Sequence, residues 1–125
     1  MSSAAGGASG RLTTHVLDTT SGEPGAGIAV ELFRLEGEQR QPLARVATNA
    51  DGRAPAPLLQ CPQLTPGVYE LLFHVGDYFR GRGLALPEPA FLDRVPIRFG
   101  VADPARHYHV PLLISPFGYS TYRGS

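Results

Sequence analysis

Four stretches of the chain alternate apolar and other side chains with a period of two, as extended strands do when successive residues face opposite ways. In LTTHVLD, Leu12, Thr14 and Val16 share one face and Thr13, His15 and Leu17 the other. In VYELLFHV, Tyr69, Leu71, Phe73 and Val75 oppose Glu70, Leu72 and His74. RVPIRFGV sets Val95, Ile97, Phe99 and Val101 against Arg94, Pro96 and Arg98, and HYHVPLLI sets Tyr108, Val110, Leu112 and Ile114 against His107, His109, Pro111 and Leu113. Turn chemistry separates the strand candidates: SGEPGAG at 21–27, NADGR at 49–53, TPG at 65–67, ADP at 102–104 and SPFG at 115–118. Short strands punctuated by Gly and Pro predict an all-β domain, an antiparallel sandwich or barrel. GDYFRGRG, residues 76–83, lacks the alternation and predicts one short helix. Residues 1–10, MSSAAGGASG, are small and contain nothing to anchor them, and read as a disordered tail ahead of a single domain over 11–125.

Composition narrows the function class. At 125 residues with 42% hydrophobic and 18% charged side chains, the chain can bury one core, and no second domain is expected. A formal charge of zero gives no general attraction to nucleic acid or to anionic membranes, so an anionic ligand has to be met by local charge. Every basic side chain other than histidine is arginine, a planar and permanently charged donor. The lone Cys61 cannot form an internal disulfide, and no apolar run approaches a membrane span. With no leader-like segment at the N-terminus, a cytoplasmic protein is expected.

The candidate chemistry lies on the faces that the apolar alternation leaves outside. His107 and His109 occupy successive outward positions of one segment, and His15 an outward position of another near the opposite end of the chain. A lone outward histidine reads first as a solvated surface residue. Here Leu17, Pro111 and Leu113 share the outward faces, and apolar residues beside imidazoles point to an outer face covered by another subunit. No carboxylate or thiol accompanies the histidines at metal-ligand spacing, so a metal-free and cofactor-free site is expected. His74 reads as structural, RGRG at 80–83 as a solvated loop, and Cys61 as a thiol with no activating base. Arg53 in its turn says little by itself.

Longer motifs carry more. LTTHVLDTTSGEPGAGI at the start and HYHVPLLISPFGYSTYRGS at 107–125 resemble the opening and closing signatures of the 5-hydroxyisourate hydrolases, the enzymes of the transthyretin-related family. TNADGR at 48–53, PGVYELLFHVGDYF at 66–79 and PAFLDRVPIRF at 89–99 are similar to that family as well, leaving only the tail and a loop at 36–42 uninformative. The resemblance implies a transthyretin-like sandwich of two four-stranded sheets with one short helix, assembled as a homotetramer with active sites between dimers. It implies a catalytic set of His15, Arg53 and His109, with Tyr122, Arg123, Gly124, Ser125 and His107 shaping a substrate pocket. The implied reaction adds water to a ring carbonyl of 5-hydroxyisourate, a step of urate breakdown. A transthyretin-like carrier of a small ligand, without catalysis, is the alternative.

Overall fold

Each of the four alternating segments is a strand in the computed structural model, which describes residues 10–124. Residues 1–9 of the tail reading, and Ser125, lie outside the described residues; Gly10 is buried, and its carbonyl accepts the Cys61 N–H. The elements in chain order are β1 (Arg11–Asp18), β2 (Glu23–Pro24), β3 (Ala29–Glu36), β4 (Gln39–Ala47), β5 (Leu59–Gln60), β6 (Gly67–His74), α1 (Val75–Gly81), β7 (Arg94–Val101), β8 (Tyr108–Ser115) and β9 (Gly118–Thr121).

Two sheets form the layers. One has the order β4-β3-β6-β7; the other has the order β2-β1-β8-β9, with β5 also pairing β1. The two-residue strands β2 and β5 share one edge of β1, β2 at Leu17–Asp18 and β5 at Arg11–Leu12, so together they fill the place of one strand. Among the described residues every strand pairing is antiparallel except that of β1 with β8. The wholly antiparallel expectation fails there because short turns dictate only how sequential neighbours pair. β1 and β8 are separated by the whole of the other sheet, and such a crossover permits a parallel pair.

The inward faces are the ones the alternation assigns. Leu12, Val16, Leu112 and Ile114 from one sheet meet Val30, Leu32, Tyr69, Leu71 and Phe73 from the other, all essentially sealed from water. Each such side chain contributes about 1.5–3 kcal/mol by leaving solvent. Thr14 sits on this inward face because its hydroxyl donates to Val110 O at 2.7 Å, which removes the cost of burying it and ties β1 to β8. The helix closes one end through buried Tyr78 and Phe79, and Tyr78 Oη donates to the buried Asp18 carboxylate at 2.8 Å. Burial first, and then that neighbouring carboxylate, push the Tyr78 phenol up to about 12, so it stays a donor throughout the physiological range.

The 36–42 stretch, expected as a loop, is instead mostly strand. Glu36 pairs with Gln39 across a two-residue turn at Gly37–Glu38, and Gly37 takes a φ of 63° that suits glycine. β4 lies at the edge of its sheet and Gln39–Pro42 are exposed, so no apolar alternation marks this part of it. His74 is structural as expected: its Nε2 lies 2.6 Å from Glu31 Oε2, and that bond chiefly draws the Glu31 carboxyl below its ordinary pKa. Cys61 donates to Pro104 O at 3.2 Å.

Candidate active site

Three strand pairings bring the outward side chains together. In the parallel register Thr13 stands opposite His109 and His15 opposite Pro111, so the two histidines occupy neighbouring outward positions on adjacent strands. Their rings lie 6.1 Å apart between centroids and are nearly parallel, 19° between planes. On the other side of β1, in the gap between β2 and β5, Arg53 forms an antiparallel bridge with His15. Residues directly opposite in such a bridge project to the same face. On the other side of β8, Gly124 bridges His109, its N–H donating to His109 O at 2.8 Å.

Local chemistry holds Arg53 in place. Asn49 Oδ1 accepts the N–H of Asp51 at 2.9 Å and that of Arg53 at 3.1 Å, which closes the NADGR turn on itself. Gly52, with φ of 76°, presents its carbonyl to the Val16 N–H at 2.8 Å and so stitches the turn to β1. A Cβ at Gly52 would lie 2.5 Å from Val16 O. Strain at a left-handed position is of order 1–3 kcal/mol, so Gly52→Ala is expected to lower the thermal midpoint and reduce turnover by displacing the guanidinium. A Gly52→Ala protein with an unchanged melting curve and unchanged kcat would contradict this account of the turn.

The imidazoles are tuned toward the neutral form. Both are half-buried, and loss of hydration is the main cause that lowers each pKa from 6.5. For His15 the Arg53 guanidinium adds to this; for His109 the additional causes are His15 and then Arg53. At neutral pH each ring therefore offers one lone pair and one N–H, the combination that general acid–base work on a carbonyl requires.

The expected pocket residues divide. Gly124 packs against the His109 ring, so closely that a Cβ there would lie 2.5 Å from Cδ2. Arg123 stacks its guanidinium 4.3 Å over the Tyr108 ring, and its Nη2 donates to His107 O at 3.2 Å. Tyr122 is exposed, and so is His107. Ser125 falls outside the described residues. A cleft of about 360 Å³ opens between the edges of the sheets, lined by Phe99, Tyr108, His109, Tyr122 and Arg123 among others. It reaches His109 but is bordered by neither His15 nor Arg53, so it is a neighbour of the imidazole pair and does not contain it. Thr13, which sequence reasoning passed over, places its hydroxyl 2.8 Å from His109 Nδ1. Nothing local marks that residue, because the contact exists only through the β1–β8 register.

A family model described as Transthyretin: HIUase/Transthyretin family matches residues 12–124. The chain belongs to the HIUase/Transthyretin family. Within it, a protein named 5-hydroxyisourate hydrolase from Mesorhizobium japonicum is 66% identical over 116 residues, 93% of each chain. The solved structure of an (S)-allantoin synthase superposes with a TM-score of 0.89 at 45% identity, over 94% of this chain but only 44% of that one. Sea bream transthyretin in complex with thyroxine superposes with a TM-score of 0.81 at 27% identity, over 91% of this chain and 94% of that one. The fold is thus shared between a protein named as a hydrolase and one solved in complex with thyroxine, so the fold by itself does not distinguish chemistry from binding.

Proposed function

We propose that this chain hydrolyses 5-hydroxyisourate to 2-oxo-4-hydroxy-4-carboxy-5-ureidoimidazoline, with His15, His109 and Arg53 as the catalytic set. The observation that carries the reading is the pair of neutral-leaning imidazoles 6.1 Å apart, with Arg53 bridged beside His15 on the same face. Identity of 66% to a named 5-hydroxyisourate hydrolase points the same way.

In this reading the water oxygen forms a bond to a ring carbonyl carbon, and the bond from that carbon to the ring nitrogen breaks. One imidazole takes the proton of the water and passes one on to the departing nitrogen, which the N–H of the other imidazole holds by donating a hydrogen bond. Arg53 offers a fixed fork of N–H donors to the developing oxyanion. Gly124 seats the His109 ring, while Tyr122, Arg123 and His107 complete the walls of the pocket, and Ser125 belongs to the same substrate-binding set. No metal or cofactor enters the reaction, whose only co-reactant is water.

The site is completed, in the same reading, by assembly into a cytoplasmic homotetramer, a dimer of dimers. Leu17 and Leu113 are only half-buried on the outer face that carries the histidines, and packing a second pair of protomers there removes both apolar surface and water. Among the described residues no helix is long and apolar enough to cross a membrane.

The test is the ultraviolet absorbance of freshly generated 5-hydroxyisourate, which is expected to decay faster with the protein than without it. An unchanged decay would favour a carrier. Sedimentation should give a mass near four times the 13.4 kDa chain, and a strict monomer would remove the closed site from the reading.

A further inference from the structure

The two imidazoles look equivalent in sequence, but their cross-strand neighbours are not. His15 stands opposite Pro111, whose ring has no donor or acceptor to offer it, whereas His109 stands opposite Thr13. The Thr13 hydroxyl lies 2.8 Å from His109 Nδ1, and this is its one side-chain hydrogen bond among the described residues. The adjacent Thr14 hydroxyl is committed elsewhere, to Val110 O. On its opposite edge the His109 ring rests on Gly124, with no room for even a methyl group against Cδ2. The ring is therefore held on two sides, and the atom left to face the site is Nε2.

We propose that Thr13 is a positioning residue for His109, donating to Nδ1 and thereby keeping the proton of the neutral ring on Nε2. The direction follows from the cost of unused groups. If Nδ1–H donated to Thr13 instead, the hydroxyl proton would have no acceptor among the described residues. If the hydroxyl donates, only spare oxygen lone pairs go unused, which costs less in a half-buried position.

This inference rests on the proposed hydrolysis and divides its two roles. His109 presents Nε2–H and is the donor toward the departing nitrogen; His15, with no partner imposed by β8, accepts the proton of the attacking water. The carbon–oxygen bond forms as the carbon–nitrogen bond breaks: His15 takes the proton of the water and, as imidazolium, passes one on to the departing nitrogen, which the Nε2–H of neutral His109 holds through a hydrogen bond, so both rings end neutral.

The experiment has a spectroscopic and a kinetic arm. Nitrogen-15 NMR of the histidine side chains in the wild-type protein, above the pKa of His109, is expected to show a pyridine-like Nδ1 and a pyrrole-like Nε2 at His109. Thr13→Val, which keeps the shape and removes the hydroxyl, should mix the two tautomers. It should also lower kcat by about tenfold, the worth of one lost hydrogen bond, with KM changed by less than about twofold. Thr13→Ser should restore both readouts. A wild-type His109 protonated on Nδ1, or a Thr13→Val protein with unaltered tautomer and kcat, would overturn the proposal. The spectroscopic arm needs no substrate, so it decides the tautomer even if the wild-type protein leaves 5-hydroxyisourate untouched, a result that would sink the hydrolase reading instead.

Discussion

Alanine at His15 or at His109 is expected to lower kcat/KM for 5-hydroxyisourate by roughly 10²- to 10⁴-fold, the range that a positioned acid or base supplies. Thermal unfolding should change little, because both rings stand on the outer face, outside the cluster that joins the sheets. The two losses should not add. Once one imidazole is gone the proton transfer it shared with the other is already broken, so the double variant is expected to sit close to the worse single one. Stopped-flow absorbance on the wild type, both single variants and the double variant measures this directly. Single variants at full rate would remove the imidazoles from the chemistry and leave the carrier reading standing.

For Arg53→Ala two changes are expected together, and their combination distinguishes a catalytic guanidinium from a merely structural one. Loss of a preorganised donor to the oxyanion should reduce kcat by about 10²- to 10³-fold. The residual activity should also titrate differently. In the wild type, desolvation and then Arg53 hold the His15 pKa below 6.5, and Arg53 contributes to lowering His109 as well. The neutral rings are the active forms, so kcat/KM falls as pH drops through those lowered values, with an acid limb centred below 6.5. Removing the guanidinium lets both rings gain a proton more easily, and the acid limb moves to higher pH. A variant whose acid limb stays in place or moves the other way would show that Arg53 does not act on the imidazoles through its charge.

The candidate site was legible in the sequence to different depths. His15 and His109 stood out because each lies on the outward face of a strand whose other face is plainly core, beside apolar residues that a solvated face would not carry, a signal local to about seven residues. Arg53 carried no such signal; an arginine in a turn becomes informative only once Asn49 and Gly52 hold that turn against β1. Motif resemblance named it, and the His15–Arg53 bridge places it beside His15. Arg123 was likewise named by the motif alone. Its guanidinium lies over the Tyr108 ring at the border of the cleft that reaches His109, a contact formed between a strand and the segment that follows the next hairpin.

What the sequence alone determined is the orientation of side chains within each strand. Leu12, Val16, Tyr69, Phe73, Val95, Leu112 and Ile114 are buried where the alternation put them, because the backbone of an extended chain turns every second side chain to the same side whatever surrounds it. Which strands become neighbours was decided only by the tertiary structure. The parallel pairing of β1 with β8 sets His15 beside His109 and Thr13 against the Nδ1 of His109. Packing two sheets over a common core selects that pairing, and the energy of such packing is spread over many distant side chains, so no short segment carries it.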